Sequence, residues 1–271
     1  MSAAADPLGT GPAVNVGAFQ WPRSFWLVRH GQSAGNVARD AAEANGHTVI
    51  DIADRDMDVP LSELGAEQSR ALGRWLGGLP PDQRPDAFFF SPYVRARQTA
   101  DLLLEAAGVE RHSIGWHCDE RLREKEFGIL DRLTVHGIRQ VHPALSEQRA
   151  HVGKFYFRPP GGESWCDVIL RLRSFVDTLS RTHAGRRVVV VAHQVTVNCL
   201  RYLLESLDEA AILEIDRRGD VPNCGVTSYE AAPDGDHPRG MRLVRENFVV
   251  PLEQAGTPVT AEPDVPAAPK P

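Results

Sequence analysis

Short apolar segments alternate along the chain with stretches whose apolar residues recur at helical spacing. Three of these segments, FWLV (25–28), AFFF (87–90) and VVVVA (188–192), are continuous and have no polar alternation. A strand that is apolar on both faces is typical of a parallel sheet that helices cover on both sides. The pattern therefore predicts interior strands of an α/β domain.

Helical patterns follow the predicted strands. Ser62 is placed to cap a helix that runs through Leu76, and further helices are predicted over 94–107, 163–182 and 195–204. Near the C-terminal end, GVTSYEA and MRLVRENFVV flank a Pro-Asp-Gly turn signal and predict an antiparallel hairpin. The predicted fold is a three-layer α/β/α sandwich with a mostly parallel central sheet and an antiparallel edge.

Neither end of the chain shows such a pattern. Residues 1–24 are rich in alanine, glycine and proline, and residues 253–271 contain five prolines and no apolar face. These compositions are typical of a flexible leader and a disordered Pro/Ala-rich tail. We therefore expect one folded domain over 25–252, with a functional site to which neither end contributes.

Composition and charge exclude several classes of function. Hydrophobic residues make up 42% and charged residues 24% of the chain, and the formal net charge is −6. This charge gives no general attraction to nucleic acid or to an anionic membrane. No segment approaches the roughly 20 apolar residues of a membrane span, and the N-terminus lacks the features of a secretory signal.

The cysteines are consistent with a reducing compartment. The chain has four cysteines, which lie far apart and form no C-x-x-C pair. This spacing favours reduced thiols over a disulfide framework or a zinc site. The four cysteines are Cys118, Cys166, Cys199 and Cys224. We therefore expect a cytoplasmic protein that binds neither nucleic acid nor membrane, while the sequence leaves monomer and homodimer both open.

Charged side chains follow three of the predicted strands, where a core would not continue. Arg29 and His30 follow the first strand, Arg95 lies one turn into the helix after the second, and His193 follows the third. If the strands are parallel neighbours, their carboxyl ends meet at one edge of the sheet. The guanidinium fork matches phosphate oxygens, and helix N-termini add backbone donors. The sequence predicts a pocket for a dianion such as phosphate.

Each of these residues taken alone has a more ordinary interpretation. A histidine at a strand end is usually a hydrogen-bonded imidazole, and a lone arginine is usually a surface residue. Neighbouring strand residues point to opposite faces, so Arg29 and His30 can serve one ligand only where the strand ends. Gly31 permits such a break and a close backbone approach. The hypothesis therefore depends on the joint placement.

The same segments resemble the motifs of a known family. In five ordered motifs over about residues 25–230, the chain resembles the histidine phosphatase superfamily, also called phosphoglycerate mutase-like. The motifs are LVRHGQSAGN (27–36), LSELGAEQ (61–68), SPYVRARQTA (91–100), RLREKEFG (121–128) and VVVVAHQ (188–194).

The resemblance implies a role for each matched residue. His30 is the implied nucleophile, which forms a phosphohistidine. Arg29, Arg95 and His193 are implied to bind the phosphoryl oxygens, and Asn36 is a further implied phosphate contact. The domain over 25–252 is then catalytic, its partner is a small phosphorylated substrate, and no metal or cofactor is needed.

The resemblance also implies a proton donor. Glu124 is the implied acid that protonates the leaving oxygen, and Glu126 is the alternative. A neutral imidazole is a good nucleophile toward phosphorus, and a protonated His193 beside two arginines would offset the dianion's charge. A glutamic acid can donate only if its pKa is raised, which partial burial beside bound phosphate would do.

The substrate is less constrained. Gln194 and the segment GKFYFRPPGGESW (153–165) resemble the corresponding parts of fructose-2,6-bisphosphatases. By this resemblance, Lys154 and Arg158 of the segment would contact a second anionic group of the substrate. Exposed loop charges are an equally good interpretation of these two residues. Positions that those enzymes use for the sugar phosphate differ here, which argues against that substrate. The residues at these positions are Val135, Ala150 and Trp165.

Three functions stay open at this point. A phosphomonoester hydrolase for a small metabolite is the leading hypothesis. A phosphoglycerate mutase would need an additional arginine pair, and between Arg132 and Lys154 only Arg139 and Arg149 are present. A non-catalytic phosphate-binding protein is the third, although no expected catalytic residue is missing. The long segment 37–60 is a candidate lid or specificity loop.

Overall fold

The computed structural model describes residues 21–232 and 240–261, and a six-stranded sheet forms its centre. The strand order is β3-β2-β4-β1-β5-β6. The first four strands in this order are parallel, while β5 is antiparallel to β1 and β6 is antiparallel to β5. The strands are β1 (Ser24–Arg29), β2 (Ala87–Phe90), β3 (Gly115–Cys118), β4 (Arg187–Ala192), β5 (Val226–Ala231) and β6 (Met241–Phe248).

Nine α-helices lie within the two described ranges. They are α1 (Ala34–Ala44), α2 (Glu63–Gly77), α3 (Val94–Ala106), α4 (Val135–Val141), α5 (Pro143–Val152), α6 (Trp165–Thr182), α7 (Gln194–Leu204), α8 (Glu209–Arg218) and α9 (Val250–Gln254).

Helices cover both faces of the sheet, and the side chains of β1 point alternately into the two cores that result. Phe25 and Leu27 pack with residues of α6 and α7, whereas Trp26 and Val28 pack with residues of α2 and α3. Burying each such side chain contributes roughly 1.5–3 kcal/mol. The predicted sandwich with its mostly parallel sheet and antiparallel edge is confirmed.

The predicted elements lie close to the observed ones. The helix that begins after Ser62 does so because the Ser62 side chain accepts a hydrogen bond from the Gly65 amide. The helix predicted from residue 163 begins at Trp165 instead, because Ser164 and Asp167 form a capping box that fixes its start. The hairpin β5–β6 pairs as predicted, and its Pro-Asp-Gly turn lies outside the described residues.

Several elements carried no clear signal. Strand β3, with sequence GWHC, is a half-exposed edge strand of four residues, so it lacks the continuous apolar run of its neighbours. The short helix α5 begins at Pro143, directly after α4, and both helices present only a narrow buried face. Such elements are held by tertiary contacts more than by local preference.

The folded chain extends beyond the predicted limits of 25 and 252. Trp21 packs against the core that α6 and α7 form. At the other end, α9 buries Leu252, and Thr260 hydrogen-bonds to Asn223. Single anchoring contacts of this kind leave no periodic pattern in the sequence. Residues 1–20 and 262–271 lie outside the described residues.

Two glycines bring α2 against the loop that follows β1. A Cβ on Gly65 would lie 1.9 Å from the Gln32 carbonyl oxygen, and a Cβ on Gly31 would lie 2.4 Å from the Gly65 carbonyl oxygen. The φ angle of Gly31 is not positive, so glycine is needed here for the close backbone packing and not for a left-handed conformation.

Among the described helices, none has the length and apolar character needed to cross a membrane.

Candidate active site

The carboxyl ends of β1, β2 and β4 meet at one edge of the sheet. Strand β4 lies between β1 and β2, and Arg29 pairs with Ala192 in register. His30 and His193 therefore follow directly on adjacent parallel strands. Arg95 enters from the first turn of α3, which follows β2.

One pocket at this edge takes in five of the six predicted site residues. It encloses about 690 Å³, including its open mouth, and Arg29, His30, Asn36, Arg95 and Glu124 line it. The sixth residue, His193, is fully buried behind the pocket wall. Its ring centroid lies 5.1 Å from that of His30.

Hydrogen bonds fix the tautomer of His30. The Nδ1 atom lies 2.6 Å from the Gly31 carbonyl oxygen, and the Nε of Arg95 lies 3.3 Å from Nε2. A carbonyl oxygen only accepts and a guanidinium only donates, so Nδ1 carries the hydrogen. The lone pair of Nε2 is consequently directed toward Arg95.

Both histidines are held in the neutral form. Burial, together with the charges of Arg95 and Arg29, lowers the pKa of His30 well below its usual value. Burial, Arg95 and His30 lower the pKa of His193 in the same way. The surroundings of His193 therefore do not by themselves favour the protonated form expected from the sequence.

Among the described residues, His193 has a hydrogen-bond partner at one ring nitrogen. Its Nε2 lies 2.8 Å from the Ser91 hydroxyl oxygen. Its Nδ1 is buried and has no hydrogen-bond partner among the described residues. Since the imidazole sits at the N-cap of α7, a proton on this ring would be stabilised only by an anion in the neighbouring pocket.

The two arginines are held differently. Arg29 donates from Nη1 to the Val221 carbonyl oxygen at 2.6 Å. Arg95 donates from Nη1 to the Asp56 carbonyl oxygen at 2.5 Å, and the same nitrogen lies 3.1 Å from the Asp56 carboxylate. The Asp56 carboxylate therefore occupies a face of Arg95 that could otherwise receive a substrate anion.

The structure separates the two candidate acids. Glu124 is buried in the pocket wall, where its Oε1 accepts from the Lys125 amide at 2.8 Å. Glu126 does not line the pocket, and its carboxylate accepts from the Tyr93 hydroxyl at 2.9 Å. Burial and the nearby charges of Asp56 and Glu126 raise the pKa of Tyr93, so this phenol stays protonated.

Asn36 presents one polar group to the pocket. Its Oδ1 accepts from the Ser33 amide and the Ser33 hydroxyl, both at 2.9 Å, as part of the cap of α1. The carbonyl end of the amide is thus committed to the helix cap, which leaves the Nδ2 hydrogens for a ligand.

Further charged residues line the pocket that the sequence did not single out. Arg39 stands three residues after Asn36 on α1, and this helical spacing was a usable signal. No local pattern pointed to Arg132, Asp54, Asp56 and Asp131.

The segment 45–60 forms one wall of the pocket. The Ile50 amide donates to the Arg132 carbonyl oxygen at 2.8 Å, and the Arg132 guanidinium donates to the Ile52 carbonyl oxygen. This docking presents the carboxyls of Asp54 and Asp56 to the site. Partial burial and the charge of Asp56 raise the pKa of Asp131 on the facing segment.

The two cations matched to a second anionic group lie elsewhere. Lys154 forms an ion pair with Asp216 at 2.6 Å, and Arg158 forms one with Asp167. Neither lines the pocket. Their carboxylate partners explain them as structural ion pairs.

Comparison with known proteins identifies the family. The model of the histidine phosphatase superfamily, branch 1, matches residues 25–243. The chain belongs to this superfamily. It is 34% identical over 205 residues to 2,3-bisphosphoglycerate-dependent phosphoglycerate mutase of Methylobacterium radiotolerans, which covers 74% of this chain and 87% of that protein.

Other histidine phosphatase relatives carry different names. Over 238 residues the chain is 29% identical to a phosphoglycerate mutase-like protein of Arabidopsis thaliana, covering 80% of this chain and 76% of that protein. The structure of the mycobacterial glucosyl-3-phosphoglycerate phosphatase matches with a TM-score of 0.63 at 29% identity, over 83% of this chain and 98% of that one. The names of these relatives divide between mutases and a phosphatase.

The two buried histidines predict a pH-dependent stability. An unfolded chain binds protons on these residues near pH 6.5, whereas the folded chain does so only at a lower pH. The free energy of unfolding should therefore fall as the pH drops below 6.5, by at most about 1.4 kcal/mol per pH unit for each histidine. Urea unfolding between pH 7.5 and pH 5.5 measures this slope.

A matched pair of double variants isolates the effect. His30→Gln with His193→Gln should flatten the slope, while His112→Gln with His151→Gln, at two exposed positions, should leave it unchanged. Equal slopes for both double variants would contradict the assignment.

Proposed function

We propose that this protein is a phosphomonoester hydrolase that acts on a small phosphorylated metabolite through a phosphohistidine on His30. The observation that carries the proposal is the neutral His30 ring, whose Nε2 lone pair is directed toward Arg95 in a pocket also lined by Arg29 and Glu124. These residues would supply a nucleophile, cationic partners for the phosphoryl oxygens and an acid.

Substrate binding begins with an exchange of anions. The phosphate dianion replaces the Asp56 carboxylate on Arg95 and gains the guanidinium of Arg29 and the Nδ2 hydrogens of Asn36. Because both arginines are buried, their hydrogen bonds to the phosphoryl oxygens are stronger than in water. The arriving negative charge also favours a proton on His193. The Nδ1 atom of this ring is buried and has no hydrogen-bond partner among the described residues.

Phosphoryl transfer to His30 is the next step of the proposed mechanism. The Nε2 lone pair of His30 forms a bond to phosphorus while the bond from phosphorus to the ester oxygen breaks. The leaving oxygen takes the proton of Glu124 and departs as an alcohol. The hydrogen bond from Nδ1 to the Gly31 carbonyl stabilises the positive charge that develops on the ring.

Hydrolysis reverses these roles. The Glu124 carboxylate accepts a proton from water, whose oxygen attacks phosphorus as the bond to Nε2 breaks. Inorganic phosphate and neutral His30 are the products, and Glu124 is again protonated. The arginines supply the positive charge in both steps, so the proposed cycle uses no metal or cofactor.

The charge of the pocket favours hydrolysis over a mutase reaction. Among the described residues, four arginines line it, and besides the proposed acid Glu124 three further carboxyl groups line it, those of Asp54, Asp56 and Asp131. A mutase has to retain a bisphosphorylated intermediate, which needs a clear excess of positive charge. Arg139 and Arg149 do not line the pocket. The mutase hypothesis remains the second candidate because curated relatives carry that name.

His30→Ala should reduce phosphate release from p-nitrophenyl phosphate by at least about a thousandfold, because no other group replaces the nucleophile. The matched control is His112→Ala, an exposed residue that precedes β3 at the opposite, amino end of the parallel strands. Comparable activity of wild type and His30→Ala would exclude His30 as the nucleophile and contradict the proposed mechanism.

The same preparation separates hydrolase from mutase. With 3-phosphoglycerate, in the presence and absence of 2,3-bisphosphoglycerate, phosphate release should equal or exceed isomerisation. Isomerisation that greatly exceeds phosphate release would establish the mutase in place of our proposal.

Glu124→Gln should slow hydrolysis of an alkyl phosphate such as glycerol 2-phosphate by about a hundredfold, and that of p-nitrophenyl phosphate much less. An alkoxide needs a proton to leave, whereas nitrophenolate does not. Glu126→Gln is the matched control, and we expect it to slow both substrates equally and weakly. Equal slowing of both substrates by Glu124→Gln would remove this residue from the acid role.

A further inference from the structure

The segment after α9 runs toward residues that hold the loop 30–33, which carries His30. Leu252 is fully buried and anchors α9 beside α2. Gly256, with φ of +67°, ends the helix, and the Thr257 amide donates to the Leu252 carbonyl oxygen at 2.9 Å. Residues 257–260, which we call the C-terminal strap, then run toward Gln68 and Asn223.

One hydroxyl group in the strap links two buried amides. The Thr260 hydroxyl accepts from Nε2 of Gln68 at 3.0 Å and donates to Oδ1 of Asn223 at 2.9 Å. Two carbonyl groups of the strap add further contacts. The Gln68 side chain also donates to the Pro258 carbonyl oxygen at 2.9 Å, and the backbone N–H of Asn223 donates to the Thr260 carbonyl oxygen at 2.8 Å. Both amide side chains are completely buried.

Each amide uses its other end on the loop that carries His30. Asn223 donates from Nδ2 to the His30 carbonyl oxygen at 3.0 Å. Gln68 accepts at Oε1 from the Gln32 amide at 2.9 Å. The two amides therefore hold the peptide groups on either side of Gly31. The carbonyl of Gly31 is the group that fixes the tautomer of His30.

Backbone groups determine how both amides are oriented, and the Thr260 hydroxyl bridges the ends that remain. The Gln32 N–H requires Oε1 of Gln68, and the His30 carbonyl requires Nδ2 of Asn223. The hydroxyl of Thr260 then accepts from Gln68 and donates to Asn223, which braces both amides in this arrangement. The reverse orientation would set two N–H groups against each other at Gln32 and two oxygens against each other at His30. Buried polar groups without a complementary partner are unfavourable, so a single arrangement is selected.

We propose that the C-terminal strap, through Thr260, positions His30 for attack on phosphorus, with Asn223 and Gln68 as positioning residues. This inference rests on the proposed function of His30. It also reverses the expectation that the C-terminal end takes no part in the site. Because the strap holds the loop backbone and not the arginine side chains, it should affect the chemical step more than substrate binding.

Two truncations and two substitutions test the strap. A chain that ends at residue 261 keeps the strap and serves as the control, whereas a chain that ends at residue 256 lacks it. Thr260→Val keeps the shape of the side chain and removes both hydroxyl hydrogen bonds, while Thr260→Ser restores them. The measurements are kcat and KM for p-nitrophenyl phosphate and the ¹⁵N chemical shifts of the His30 ring.

The chain ending at 256 and Thr260→Val should both lose kcat by about tenfold or more, with KM changed less than twofold. Their His30 ring shifts should differ from those of wild type. Thr260→Ser should recover most of the lost kcat and the wild-type shifts, and the chain ending at 261 should match the full chain.

Other outcomes overturn the inference. An unchanged kcat in Thr260→Val, a rise in KM as the main effect, or no recovery in Thr260→Ser would each exclude a positioning role. Failure of both strap variants to fold would show that the strap serves the fold and not His30. If the chain ending at 261 and the full chain are both inactive, the proposed function fails instead, which is a distinct result.

Discussion

The parallel pairing of β1 with β4 is the constraint on which the site depends. With Arg29 opposite Ala192, both strands end at the same level, and their next residues are His30 and His193. The two imidazoles therefore meet although 163 positions separate them in the chain. The core holds this register firmly, because a slip of one residue would turn every apolar side chain of β1 to the opposite face.

Burial gives the meeting of these residues its chemical character. Two imidazoles enclosed with two arginines lose their protons, since the site is desolvated and already positively charged. A neutral ring with its hydrogen on Nδ1 is the form that can attack phosphorus. Asp54, Asp56 and Asp131 line the same pocket and offset part of the positive charge of its arginines.

The sequence predicted the parts of this account that local patterns encode. Continuous apolar runs located β1, β2 and β4, and the charged residues after them indicated a shared pocket because parallel strands end together. Arg39 was within reach of the same reasoning, being one helical turn from Asn36. The acidic wall was not, because the docking of 45–60 on Arg132 depends on a contact across 80 residues. The strap was missed for the same reason, since a Pro-rich segment with one anchoring threonine resembles a disordered tail.

The proposed nucleophile is one nitrogen atom, Nε2 of His30, and the site of phosphorylation in the intermediate decides whether this atom attacks phosphorus. The protein, labelled with ¹⁵N-histidine, is mixed with excess substrate, quenched in alkali to preserve phosphohistidine, and examined by ³¹P–¹⁵N correlation NMR. We expect phosphorus bonded to Nε2 of His30, with Nδ1 unmodified. Phosphorus on Nδ1, or on any residue other than His30, would contradict it.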